Sequence, residues 1–147
     1  MTIALSNALA ATQTALLATQ LTGGFVRLFS GGRPASPDMA ETGTLLGIVT
    51  NEGIADAGLS FLAAGAVLQK TAQPWVFTGL ANGAATWFRI VQPGDTGDND
   101  MTALRIDGDI GVVDGTPGDM NWINTNVVLG VPYTLDQFLY LIQPIGH

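Results

Sequence analysis

The strongest constraint on this chain is how often its sequence calls for a turn. Beyond residue 24, clusters of Gly, Pro, Asn and Asp recur about every 8–12 residues, a spacing that suits short strands and leaves little room for helices. The 19 glycines and 7 prolines supply these turns. Strands are expected at 25–30, 44–50, 59–63, 66–70, 75–80 and 84–91. Further strands are expected at 102–107, continuing past a bulge through 110–113, and at 120–124, 125–129 and 133–142. Ala-rich helix competes with strand over 59–70. Asn82-Gly83 is a tight-turn dipeptide leading into the 84–91 strand.

One segment reads as helix. Over residues 3–21, Leu5, Leu9, Thr12, Leu16 and Thr19 recur at the spacing of one helical face, among strong helix formers such as Ala8, Ala11 and Ala15. Gly23-Gly24 ends it. The segment carries no charged side chain, so it is expected to pack on its own domain or against a neighbouring subunit. The expected fold is mainly β: an antiparallel β-sandwich of jelly-roll type with one N-terminal α-helix. Its parts are a helix or arm at 1–24, a sandwich domain at 25–143 and a tail at 144–147.

Charge narrows the partners. The net charge is −7, with 12% of residues charged and 47% hydrophobic, which disfavours nucleic acid and anionic membranes. Small neutral residues either fill turns and tight sheets or form protein contact faces. No apolar run reaches the ~20 residues of a membrane span, and the N-terminal stretch lacks the basic start of a signal peptide. The expected partners are therefore proteins.

Catalytic machinery is sparse. There is no cysteine, and the single histidine is His147, which leaves no common zinc ligand set and no Ser-His or Cys-His pair within one chain. No serine sits in a nucleophile elbow, and no Gly-rich phosphate loop occurs. Carboxylates cluster between Asp95 and Asp119. Asp95, Asp98 and Asp100 are a weak Ca²⁺ candidate, because the glycine and glutamate of an EF-hand loop are replaced by Ala103 and Asp109. The alternative is a set of solvated turns. A glycosidase carboxylate pair lacks any surroundings that would raise one pKa. The chain is therefore expected to be no enzyme and to need no cofactor.

Three arginines interrupt apolar strands: Arg27 between Val26 and Leu28, Arg89 after Trp87-Phe88, and Arg105 between Leu104 and Ile106. Each must reach solvent or a partner. A structural pair with Asp107 or Asp109 and a salt bridge between subunits are both open. Trp75, Trp87 and Trp122 are either core residues or stacking platforms for a carbohydrate.

The segments Phe25-Val26-Arg27-Leu28-Phe29-Ser30-Gly31 and Arg33-Pro34-Ala35-Ser36-Pro37-Asp38-Met39-Ala40-Glu41-Thr42-Gly43-Thr44-Leu45-Leu46 resemble the opening of small proteins encoded in structural gene clusters of tailed bacteriophages and prophages. Trp87-Phe88-Arg89, Leu104-Arg105-Ile106-Asp107-Gly108 and Asp119-Met120-Asn121 follow in the same order. The resemblance spans most of residues 25–130 and departs at both termini. It implies a β-sandwich virion component made in the host cytoplasm and bound to the major capsid protein or other virion proteins. Capsid decoration on the outer shell is the favoured role, as a homo-oligomer, with a trimer preferred. A tail- or fibre-associated protein and a carbohydrate- or receptor-binding module are the alternatives. Expected contact residues are Leu5, Leu9, Leu16, Arg33, Pro34, Met39 and Ile145.

Overall fold

The computed structural model describes residues 4–112, 115, 118–135 and 139–141, the last three by their strand alone. The chain is mainly β with one N-terminal helix, built on a curled mixed sheet. Helix α1 spans Asn7–Leu21. The strands are β1 Phe25–Phe29, β2 Leu45–Asn51, β3 Phe61–Ala64, β4 Val67–Lys70, β5 Trp75–Thr78 and β6 Gly83–Ala84. They continue as β7 Trp87–Val91, β8 Ile106–Val112, β9 Met120–Trp122, β10 Asn126–Val127, β11 Pro132–Leu135 and β12 Leu139–Leu141.

Seven strands form the main sheet in the order β11-β5-β2-β1-β7-β8-β9. A three-stranded sheet, β12-β4-β3, and a two-stranded one, β10-β6, complete the fold. Among the described residues every pairing is antiparallel except β8 with β9, which is parallel. One face of the main sheet carries Val26, Leu28, Val49, Phe77, Phe88 and Ile90 into the core. Laid flat, β5 and β9 would lie about 24 Å apart, five strand spacings. Instead the Phe77 ring of β5 stacks on Trp122 of β9 at 5.9 Å and on Tyr133 of β11 at 5.1 Å. The sheet therefore curls until its two ends share one aromatic stack.

Two glycines leave room for core rings. The Phe88 ring lies over Gly108, its cross-strand partner, and the Phe77 ring lies over Gly47. A Cβ at either position would occupy ring space.

Ser6 caps α1, its Oγ accepting from Leu9 N at 3.1 Å. Gly23 ends the helix with φ 93°, a left-handed conformation that favours glycine. The buried side of α1 is Ala10, Thr14, Ala18 and Leu21, not the leucine stripe. Small residues let the helix sit close on β3 and β4, and Ala18 and Leu21 join the same core as the main sheet.

Several local expectations are corrected. Asn82-Gly83 makes no hairpin turn: Gly83 belongs to β6, and Asn82 Oδ1 accepts from Leu129 N. Ala85 and Thr86 then separate β6 from β7, because their N–H groups bond Thr125 O and Phe29 O. The expected strand at 102–107 begins only at Ile106, since Arg105 is drawn into a loop contact, and it runs through Gly108 without a break. The 133–142 segment is two strands in different sheets. Over 59–70 the strand reading holds, and β3 and β4 form a hairpin around Gly65, whose positive φ suits a two-residue turn.

Gly47→Val and Gly108→Val are each expected to lower stability by about 1–3 kcal/mol through overpacking against a fixed ring. Urea unfolding followed by tryptophan fluorescence measures this.

Candidate functional site

The face of the main sheet opposite the core carries a row of charges that is largely buried rather than open to solvent. Arg27 of β1 lies directly across from Arg89 of β7, and Arg89 directly across from Asp107 of β8. Two like charges in register repel, so the row needs acids. Arg89 is 0% exposed and meets Asp107 through two parallel bonds, Nε to Oδ1 at 2.6 Å and Nη2 to Oδ2 at 2.9 Å. Arg27 Nη2 lies 3.1 Å from Glu41 Oε1. Arg89 also faces the Trp87 ring at 5.5 Å, and Trp87 stacks on Phe29 at 4.3 Å.

Arg105 makes a second bidentate pair, with Asp95, through bonds of 2.7 and 2.6 Å. Both arginines then reach main-chain carbonyls. Arg89 Nη1 donates to Met39 O, and Arg105 donates to Pro37 O and Asp98 O. The loop at 31–43 is thereby held over the sheet and joined to the loop at 92–101. Glu41 N donates to Gly97 O, Ala40 N to Asn99 Oδ1 and Asp100 N to Asp38 O. The 92–101 loop is exposed at most of its residues and yet is bonded to the 31–43 loop at Gly97, Asn99 and Asp100.

Electrostatics follow this geometry. The Arg105 bonds hold the Asp95 carboxyl below the usual aspartate range, and the same bonds raise Arg105. Burial pushes Glu41 up, against the opposing pull of Arg27. Thr102 lowers Asp100 through its hydroxyl and its N–H.

The expected calcium ligands do not form a cation site. Asp95 spends both oxygens on Arg105, Asp98 Oδ2 accepts from Thr96, and Asp100 Oδ1 accepts from Thr102. No group of three or more potential metal ligands occurs among the described residues. Among the described residues, no helix is long and apolar enough to cross a membrane.

The expected contact residues have different fates. Leu9 and Leu16 are 47% and 59% exposed, and Met39 is exposed on the held loop. Leu5 is half-buried and Pro34 is buried beneath the loop surface. Arg33 lies 3.6 Å from Asp109. Ile145 lies outside the described residues. Trp75 is a core residue, Trp87 is buried on the outer face against Phe29 and Arg89, and Trp122 is half-buried.

Two concavities among the described residues bear on binding. One, of about 400 Å³, opens on the outer sheet face beside the arginine row, with Phe25, Ile48, Val76 and Val91 among its lining and Arg27 and Asp56 also bordering it. Asp56, in its lining, holds a positive φ of 63°, sparsely populated for such a residue. The other, of about 490 Å³, lies where the sheet ends meet and is lined by Asn121, Trp122, Asn124 and Tyr133. Comparison with protein-family models, curated proteins and solved structures found no match.

Sequence reasoning missed Glu41, which lies in an irregular loop with nothing in its spacing to mark it as the partner of Arg27. It anticipated Asp107 for a structural pair but not Asp95 for Arg105.

Arg89→Met should cost about 3–5 kcal/mol, because it strands the buried Asp107 carboxylate. The double variant Arg89→Met/Asp107→Leu should lose less than the single one in the same urea titration. Acid sensitivity has a definite sign. The Asp95 contribution is full above the ordinary aspartate value of about 4 and is lost as pH falls through its depressed folded value. Glu41, raised, works in the opposite sense and stabilises least once ionised. Asp95→Asn should therefore flatten the acid limb of a stability–pH curve. Calcium and EDTA should leave the melting midpoint unchanged.

Proposed function

We propose that this chain is a non-enzymatic structural component of a tailed-phage virion, a capsid decoration or cement protein that binds the major capsid protein on the outer shell as a homo-oligomer, preferably a trimer. The observation that carries this reading is where the phage-like motif residues lie. Arg27, Glu41, Arg89, Arg105 and Asp107 all belong to the framework that fixes the 31–43 and 92–101 loops. These residues are engaged in ion pairs that hold the two loops, which supports a role in presenting a surface.

A surface fixed in advance loses little conformational freedom on docking. Exposed Met39 and the apolar concavity beside Arg27 offer shape and hydrophobic contact to a protein partner. A net charge of −7 suits the outside of a shell, away from packaged DNA. Repeated attachment across a lattice turns modest single contacts into lasting ones.

One observation favours a second reading, a carbohydrate- or receptor-binding module. Trp122 and Tyr133 line the larger concavity together with two asparagines, and the Trp122 indole N–H has no hydrogen-bond partner among the described residues. Quenching of tryptophan fluorescence in a glycan screen, abolished by Trp122→Ala, would support that reading over the first.

Purified protein added to undecorated capsids should load saturably, at hundreds of copies per particle. Met39→Glu should weaken loading about tenfold or more at an unchanged melting midpoint. Absence of loading, or a few tens of copies confined to the tail, would overturn the decoration role.

A further inference from the structure

Helix α1 has two apolar sides, and the fold uses one. The buried side is Ala10, Thr14, Ala18 and Leu21. The opposite side carries Leu9, Thr12, Leu16 and Thr19, all exposed. Their spacing of 3, 4 and 3 residues is the a/d spacing that one helix presents to another. Leu5 is not part of this seam; it precedes the Ser6 cap, in the position that packs back on the first turn.

The threonines of the seam are less polar than their side chains suggest. Thr12 Oγ1 donates to Ala8 O at 3.0 Å and Thr19 Oγ1 to Ala15 O at 3.1 Å. Each hydroxyl proton is thus spent on the helix itself, and a partner can cover these side chains without stranding a donor. Exposed Ala8 and Ala15 border the seam on one side, where they allow close approach, and Gln13 and Gln20 border it on the other.

Charge identifies the occupant. The first charged side chain in the sequence is Arg27, so α1 carries none, while the chain as a whole carries −7. Two copies repel through most of their surfaces but can meet along α1 without opposing like charges. A foreign helix selected for this seam would gain nothing from charge. An identical helix supplies the matching spacing and the same neutral flanks. We infer that a second copy of this chain docks its own α1 here, helix against helix, so that the protein self-associates through the Leu9–Thr12–Leu16–Thr19 seam. In the trimer the α1 helices pack around the symmetry axis, each copy contributing the same residues. Because α1 is already held on its sheet, docking needs no helix formation.

This inference rests on the homo-oligomer proposed above, and it is tested without capsids. Sedimentation velocity on the full chain at micromolar concentrations should show self-association. Leu16→Glu should weaken it about tenfold or more, and Leu9→Glu/Leu16→Glu should give monomers that keep the wild-type far-UV circular dichroism, since both leucines lie off the core. Because the chain has no cysteine, Thr12→Cys gives a second readout should the charged variants fail to fold. A short bismaleimide linker should join Thr12→Cys copies and leave Ala35→Cys copies unjoined. A monomeric wild type, an oligomer indifferent to Leu9→Glu/Leu16→Glu, or no linking at Thr12→Cys would overturn the inference. Capsid loading by a monomeric wild type would overturn self-association alone, and self-association without capsid loading would overturn the virion reading alone.

Discussion

The fold depends on a guanidinium placed where water cannot reach it. Arg89 sits in the middle strand of a three-strand run, fully buried, with another arginine directly across from it. An unpaired charge there would be prohibitive. Asp107 neutralises it from the next strand through a two-pronged bond, and the remaining N–H groups still require acceptors. That requirement draws the Met39 carbonyl, and with it the 31–43 loop, onto the outer face of the sheet. Arg105 repeats the device with Asp95 and with carbonyls from both loops.

The consequence is an unequal division of labour between the two sides of the main sheet. The inner side is an ordinary apolar core, closed by the curl that brings Trp122, Phe77 and Tyr133 into one stack. The outer side is a polar truss under irregular chain. Irregular segments are usually the mobile part of a β protein, but here two of them are bonded to each other and to the sheet beneath. The helix adds a third surface that is neutral throughout and attached to the core by small residues.

Much of this was legible in the sequence. Turn chemistry placed most strands, because Gly, Pro, Asn and Asp act locally, and Gly23 marks the end of α1 by the same local logic, whereas the helix expected from residue 3 starts at Asn7, after the Ser6 cap. What failed depended on distant partners. The leucines of α1 outrank its alanines in any reading of periodicity, yet the alanines face inward because β3 and β4 leave room only for small side chains. Asn82-Gly83 is a turn signal overridden by pairing with a strand more than forty residues away. The parallel placement of β9 beside β8 has no local signature. The arginines could be identified as needing partners, but Glu41 and Asp95 lie in loops, where spacing carries no directional information.

The grip on the two loops has an evolutionary implication. Arg89 and Arg105 hold the 31–43 loop through the carbonyl oxygens of Met39 and Pro37, which every residue type supplies. The outward side chains of that loop can therefore change identity while the path of the chain stays fixed. A lineage carrying this frame could switch partners by exchanging a few exposed side chains, without rebuilding the fold that displays them.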